Sequence, residues 1–175
     1  HTLNQKSAGL PTRDAAKTFI YAFLYGAGDG KIGEIVGGSA EDGKKLKEKF
    51  FKKLPAIRSL VDLVARVYKD TGMLKALDGN PYHIRSAHSA LNTLLQGAGA
   101  LVMKYYVIFL DRSLSARFTA GTNYEFVLNV HDEVQIECDE EIADEVAKLA
   151  EEAFDDVTKY LKFRIPLRGT CLLYT

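Results

Sequence analysis

Ser86 to about Leu110, SAHSALNTLLQGAGALVMKYYVIFL, is the longest segment of continuous helical character, and it reads as one helix. It is largely apolar, so the surrounding chain has to pack on it, yet His88, Asn92 and Gln96 lie at i, i+4 and i+8 on one stripe. Leaving a buried amide without a partner costs about 1–3 kcal/mol, so this stripe requires polar partners. Protein, water and a nucleic-acid groove all qualify. Gly97, Ala98, Gly99 and Ala100 follow at once and let another backbone approach closely.

The rest of the chain is patterned to supply elements around that helix. Pro11 and Thr12 give a start signal and Gly26 and Gly28 a stop, which delimits a helix over RDAAKTFIYAFLYGAG, with Ala16, Ile20, Phe23 and Leu24 as its docking face. Gly26 to Gly38 reads as a glycine-rich connector. Ser39 with Asp42 forms a capping box for a lysine-rich helix that runs to Leu54, and Ile57, Leu60, Val61, Val64 and Val67 repeat at helical spacing up to Gly72. Leu77 to Arg85 carries an Asp78-Gly79 turn signal and reads as a short hairpin or loop. Phe126 to Cys138, FVLNVHDEVQIEC, reads as a β-hairpin with an acidic pair at its tip, held near a core by apolar runs on both sides. Asp139 caps a final helix with Ile142, Val146, Leu149, Phe154, Val157 and Leu161 on its buried face, and Phe163 to Leu167 reads as a closing strand.

Composition limits what these elements do. With 175 residues, 47% of them hydrophobic, the chain holds one or two cores. Its 23 basic and 23 acidic side chains exclude a wholesale basic DNA-wrapping surface, so any nucleic-acid contact must come from local patches. No run reads as long enough to cross a membrane, and no signal peptide is present. Cys138 and Cys171, without CxxC spacing, fit a reducing compartment and exclude a cysteine zinc site. The first residue is His1 rather than Met, which suggests a piece of a longer chain.

Chemistry concentrates in two places. Arg13, Lys17, Tyr21 and Tyr25 recur every four residues and so form one slowly winding ridge on the first long helix. Cations in the first turns oppose the helix dipole, so stability alone would prefer acids there. A helix N-terminus with added cations is instead an anion site, phosphate being the usual anion, and the tyrosines offer flat faces to an attached base or sugar. The alternative is an amphipathic helix with two solvated cations and aromatic core residues. The second place is the acidic pair, Asp132 and Glu133, whose hard oxygens suit Mg²⁺, an ion that takes one or two protein carboxylates and leaves the rest to water and substrate phosphates. An exposed acidic turn is the plainer meaning. Together the two features ask for a nucleoside triphosphate with its metal. Gly28 to Gly33 also matches GxGxxG, but Gly37-Gly38 interrupts where a helix should open on its third glycine, and Ile32 after Lys31 rules out a P-loop.

These residues carry a specific resemblance. RDAAKTFIYAFLYGAG resembles motif B of the family A, DNA polymerase I-like, DNA polymerases, and VHDEV, Val130 to Val134, resembles their motif C. The pattern is similar to that of podovirus-type bacteriophage replicative polymerases, whose fingers helix reads PTRDxAKTFIYxFLYGAG. RSAHSALNTLLQGAGAL, Arg85 to Leu101, looks like the palm helix of that family, and HTLNQ like the segment before the fingers helix. Agreement runs in order over roughly residues 1 to 168.

The resemblance implies an α+β fold: helical fingers over 1–84, with the nucleotide helix at 12–25, and part of an antiparallel-sheet palm with flanking helices over 85–170. Within that palm it implies a minor-groove helix at 86–110, the motif C hairpin at 126–138, and a closing helix and strand at 139–167. It implies that His1, Arg13 and Lys17 hold the triphosphate, with Lys17 also catalytic, that Tyr21 sits by the sugar, and that Tyr25 lies near the nascent base pair. Asp132 becomes a ligand of catalytic Mg²⁺ with Glu133 in support, and both count as catalytic. His131 lies near the primer terminus, while Arg85, His88, Asn92 and Gln96 contact the primer–template, the last three along its minor groove. Amide donors there meet acceptors present on every base pair, so they check pair geometry without reading sequence.

The implied activity is DNA-directed DNA polymerisation with dNTPs on primer–template DNA in phage replication, in the cytoplasm of a bacterial host, with no membrane partner and a processivity factor bound through other segments. The motif A aspartate, the other principal metal ligand of the family, lies upstream of HTLNQ, so this chain alone is expected to be inactive, with half of its two-metal ligands. A non-catalytic or split nucleic-acid-binding subunit is the rival reading. Asn80 stands where many relatives carry a basic residue. The ending GTCLLYT departs from the family's tryptophan-containing tail, and Cys171 to Thr175 are expected to be non-native, since one frame of a common transposon-derived sequencing adapter encodes CLLYT.

Overall fold

The capping signals translate directly into helices. In the computed structural model, which describes residues 2–174, the chain forms two compact units, His1–Gln96 and Gly97–Thr175. The first begins with α1 (Thr2–Ala8) and α2 (Arg13–Leu24), and Thr12 caps α2 by accepting a hydrogen bond from the Ala15 N–H at 3.1 Å. α3 (Asp29–Ile35) and α4 (Ala40–Lys53) follow, and α4 opens with the reciprocal Ser39–Asp42 capping box. α5 (Pro55–Thr71) starts with Pro at its first turn and ends at Gly72, whose φ of 68° suits a left-handed C-cap. β1 (Met73–Lys75) and β2 (Pro81–His83) then pair antiparallel around the Asp78-Gly79 turn, with Leu74 opposite Tyr82.

The glycine-rich stretch 26–38 is the main departure from the sequence reading, since most of it is α3 rather than a connector. Its glycines serve close helix packing. A Cβ on Gly43 of α4 would lie 2.0 Å from the Asp29 carbonyl oxygen, and one on Gly33 of α3 would lie 2.0 Å from the Ser39 carbonyl oxygen. The Lys47 ammonium, 2.8 Å from Asp29, ties the start of α3 to α4. Under these helices lies a core of Phe19, Phe23, Ile32, Leu46 and Phe50, with Phe19 and Phe50 edge to face at 5.2 Å. A smaller cluster joins Val64, Leu74 and Ala90.

A 3₁₀ turn over Ala87–Ser89 leads into α6 (Ala90–Ser115), which starts in the first unit and ends in the second. The helix therefore begins later and runs further than the expected 86–110. By length and composition, Ala87–Ser115 is long and apolar enough to cross a membrane, which corrects the sequence reading. Its residues Tyr106, Leu110 and Leu114 are nonetheless buried against the protein's own core.

The second unit packs α6 against β3 (Tyr124–Val130), β4 (Glu133–Cys138) and α7 (Ala143–Tyr160). Its core joins Tyr106, Leu110, Leu114, Tyr124, Val146, Leu149, Ala153 and Val157. β3 and β4 pair antiparallel with a bulge between Phe126 and Leu128, so that Phe126 faces Ile136 while Leu128 faces Gln135. A mixed helical and small antiparallel-sheet fold, α+β, is thus as expected, with three corrections. Asp139 precedes a 3₁₀ turn over Glu140–Ile142 without capping it through its side chain, and instead accepts a hydrogen bond from the Asn123 amide. Phe163–Leu167 is irregular rather than a strand: the Leu167 N–H goes to Thr158 Oγ1, Arg168 pairs with Asp155, and Ile165 is 76% exposed. The turn of the β3–β4 hairpin is His131-Asp132, and Glu133 already belongs to β4.

Candidate functional site

The ridge on α2 resolves into a two-sided helix. Ala16, Phe19 and Phe23 are buried, while Arg13, Lys17, Tyr21 and Tyr25 all stand on the exposed side. Tyr21 is 48% and Tyr25 57% exposed, so the tyrosines are not core residues. Among the described residues, Arg13 and Lys17 have no ion-pair partner, although Asp14 lies beside them in the first turn. Two uncompensated cations at a positive helix end are an attractive site for a polyanion. His1, the third expected triphosphate contact, lies outside the described residues.

The first unit also gathers part of the polar stripe around the end of α2. Arg85 and His88 are exposed, the latter in the 3₁₀ turn that precedes α6 rather than on α6 itself, whereas Asn92 is half-buried on the helix. Gln96 Nε2 donates a hydrogen bond to the Tyr25 hydroxyl at 2.9 Å. Gly26, with φ of 78°, brings its backbone so near that a Cβ there would sit 2.2 Å from the His88 carbonyl oxygen. Beside this junction a pocket of about 440 Å³ is lined in part by Phe23, Gly26, Phe51, Arg58, Asp62 and His88. Arg58 lies over the Phe51 ring at 5.0 Å and pairs with Asp62 at 2.9 Å. The sequence reading missed this pocket and its Arg58–Phe51 wall. The i, i+4 spacing of Arg58 and Asp62 was the one available signal.

The acidic pair belongs to the second unit. His131 and Asp132 make a two-residue connection, and His131 takes φ of 53°, the left-handed conformation that tight hairpins demand at their first central position. Asp132 and Glu133 are exposed, and Glu133 accepts a hydrogen bond from Gln135 Nε2 at 2.6 Å. Val127, Leu128 and Val130 of β3 next to the turn are exposed too, whereas on β4 Val134, Ile136 and Cys138 are half-buried against the core, which Tyr124 and Phe126 at the start of β3 also meet. The expectation of apolar runs on both sides holding the tip near a core is thereby corrected in half: the β4 run does so, and the β3 run beside the turn does not.

Among the described residues no three His, Cys, Asp or Glu side chains converge as a metal cluster. The donor set at the turn, two carboxylates open to solvent, fits a hard cation that completes its sphere with water and phosphate oxygens. Elsewhere in this unit burial dominates: it pushes the Tyr106 phenol up to about 12, with the nearby Cys171 adding to the shift.

Comparison with known proteins places these features in a family. The family model described as "DNA polymerase family A" matches residues 2–172. The DNA-directed DNA polymerase of Enterobacteria phage T3 is 42% identical over 193 residues, covering 100% of this chain and 27% of that protein. The DNA-directed DNA polymerase of Escherichia phage T7 is 43% identical with the same coverage. The chain therefore spans about a quarter of the length of these relatives. Among solved structures, the POL domain of Pol1 from M. smegmatis in complex with DNA primer-template and dNTP matches with a TM-score of 0.79 over 90% of this chain and 31% of that one. At 21% identity it shows the fold alone.

Proposed function

The chain belongs to DNA polymerase family A, and from that premise we propose that it is the fingers (1–84) and part of the palm (85–170) of a phage replicative DNA polymerase that extends a primer 3′ end with dNTPs in the host cytoplasm. The carrying observation is the exposed ridge of α2, two cations without ion-pair partners followed by two half-exposed tyrosines. Arg13 and Lys17 bind the triphosphate and hold its charge at the helix N-terminus, joined by His1. Tyr21 packs beside the sugar, and Tyr25 beside the nascent base pair. Arg85, His88, Asn92 and Gln96 orient the primer–template, and His131 lies near the primer terminus.

Asp132 and Glu133 would hold Mg²⁺, which when bound supplies charge stabilisation to the reacting phosphate oxygens. Their carboxylates serve one side of a two-metal pair, and the resemblance puts the opposite carboxylate in motif A, outside these residues. The 175-residue chain by itself therefore does not extend a primer.

The test uses a completed enzyme in which these residues replace the corresponding segment of the T7 relative. A charge-assisted hydrogen bond contributes about 1.5–3 kcal/mol, so Lys17→Ala should lower kcat/KM for dNTP by about 10- to 150-fold, with primer–template affinity little changed. An equal loss of DNA affinity would move Lys17 from the nucleotide site to a backbone-binding surface.

A further inference from the structure

Tyr25 and Gln96 come from residues 71 apart in sequence, yet their side chains share a hydrogen bond of 2.9 Å. Tyr25 is the last residue of the nucleotide ridge, and Gln96 the last of the polar stripe. The backbone next to Tyr25 is seated as well, because Gly26 lies against the His88 carbonyl with no room for a Cβ between them. The ring is thus fixed from both sides: its main chain rests on the His88 turn and its hydroxyl is held by Gln96. Among the described residues Gln96 makes no other side-chain hydrogen bond, which leaves its second amide N–H and its carbonyl facing solvent.

We propose that Gln96 is the positioning residue for Tyr25, and that one amide couples the minor groove of the primer-terminal base pair to the side chain beside the incoming nucleotide. This rests on the reading of the chain as a polymerase segment. A primary amide presents two N–H groups in one plane, so donating one to the Tyr25 hydroxyl leaves the other for a minor-groove acceptor. Each base of a well-formed pair presents such an acceptor at a regular place. The acceptor then holds the amide plane, and the plane holds Tyr25. A mispaired terminus displaces the acceptor, turns the amide and loosens the tyrosine before the next nucleotide is inserted. Slow extension from a mismatch follows from this linkage without any separate sensor.

The experiment is single-nucleotide insertion by the completed enzyme on matched and mismatched primer termini, together with primer–template affinity. Variants are Tyr25→Phe, Gln96→Ala, Gln96→Glu and the Tyr25→Phe/Gln96→Ala pair. Tyr25→Phe removes only the hydroxyl and leaves the ring in place, so a folding failure is not expected. Loss of one such hydrogen bond should reduce discrimination against a mismatched terminus by about 3- to 10-fold. Gln96→Ala should do the same and weaken primer–template binding, and the double variant should be no worse than Gln96→Ala alone. Gln96→Ala should also raise the dNTP KM by freeing Tyr25; in Gln96→Glu the carboxylate accepts the Tyr25 O–H but cannot donate to the groove, so most of that rise should be reversed while the primer affinity stays weakened.

Effects of the two single variants that multiply in the double variant, or a Gln96→Glu variant with the dNTP KM of Gln96→Ala, would overturn the coupling while leaving the polymerase reading intact. A Gln96→Ala variant with unchanged primer affinity and unchanged mismatch extension would remove the minor-groove role itself, and the coupling with it.

Discussion

In the first unit the ridge of α2 stands on a core, whereas in the second the turn of the β3–β4 hairpin is tied to one by a single strand, β4. Phe19 and Phe23 under the ridge are locked into an aromatic cluster with Phe50. By contrast, Val127, Leu128 and Val130 beside Asp132 are exposed, and Val127 is 58% so. The lesson is that the two halves of the chemistry are prepared differently. The groups proposed to hold the triphosphate stand on a helix seated on aromatic core residues, while the carboxylates proposed to hold the metal stand on a two-stranded ribbon, which by itself is marginal in water. For the carboxylates, packing against further apolar surface has to fix the geometry.

The largest effect that would break this comparison is catalysis by the purified 175-residue chain. No primer extension is expected in the presence of Mg²⁺, and replacing the matching segment of the T7 relative with it should give activity. Metal-dependent extension by the chain alone, free of host polymerase, would mean that the hairpin is already a complete centre.

The next effect concerns the prepared half. In the proposed place beside the sugar, Tyr21 would fill the space and hydrogen-bonding role of a missing 3′-OH, so the completed enzyme should accept ddNTPs nearly as well as dNTPs. Sites that depend on a substrate hydroxyl reject its absence strongly, and Tyr21→Phe should therefore restore preference for dNTP by about two orders of magnitude. Competitive incorporation measures this, and an unchanged ratio would take Tyr21 away from the sugar.

A smaller effect tests whether the first unit's order is its own. In Gly43→Ala the new methyl meets the backbone of Asp29 and Gly33, and overpacking of that kind costs about 1–3 kcal/mol. The gain in helix propensity, at most about 1 kcal/mol, does not offset it. Hydrogen exchange should show α3 and α4 losing protection while α7 and the hairpin keep theirs. Equal loss in both units would show that their stabilities are not separate.

The smallest effect sharpens the description of the second core. Burial raises the Tyr106 phenol to about 12, so the folded state favours its neutral form. The stability this gives is fully present below the unfolded value near 10 and is lost as pH rises through about 12. Tyr106 should ionise only near 12 in an ultraviolet titration, and the slow alkaline loss of α6–α7 protection should be absent in Tyr106→Phe. Ionisation together with the exposed tyrosines would contradict its burial.

What the sequence made legible was whatever is encoded within one turn or one strand pair. The Thr12 cap, the Ser39–Asp42 box and the Gly72 stop are local hydrogen-bond problems with local answers. The alternation around His131-Asp132 specified a hairpin for the same reason. What stayed hidden depends on a second segment. Gly33 and Gly43 look like breakers until the neighbouring helix shows that they are contact points, which is why α3 was read as a connector. Phe163–Leu167 has strand-like residues, but a strand exists only as a partner in a ladder, and its amide is taken by Thr158. At the site, the spacing put the four ridge residues on one face but left open whether the tyrosines were core, and their exposure, the Gln96 partner of Tyr25 and the Arg58 wall of the pocket required the fold.

The bulge in β3 meters where the hairpin turns. Below it, paired residue numbers such as Phe126 and Ile136 add to one value, and above it, as in Val130 and Glu133, they add to one more. Val127 is the spare residue that shifts the count. Were Val127 instead paired in a regular ladder, opposite Gln135, the strands would close around a three-residue loop that swallows Val130, and Asp132 would no longer be the second of two apex residues. Length changes in this strand are therefore not interchangeable. Deleting Val127 removes the bulge but leaves Leu128 opposite Gln135 and Val130 opposite Glu133, so the turn that presents Asp132 is kept, whereas a residue added to β3 would need a second bulge or a longer turn. The bulge thus acts as slack in β3: one residue can be lost there before the acidic apex is moved, and drift in this segment should tolerate a single deletion better than an insertion.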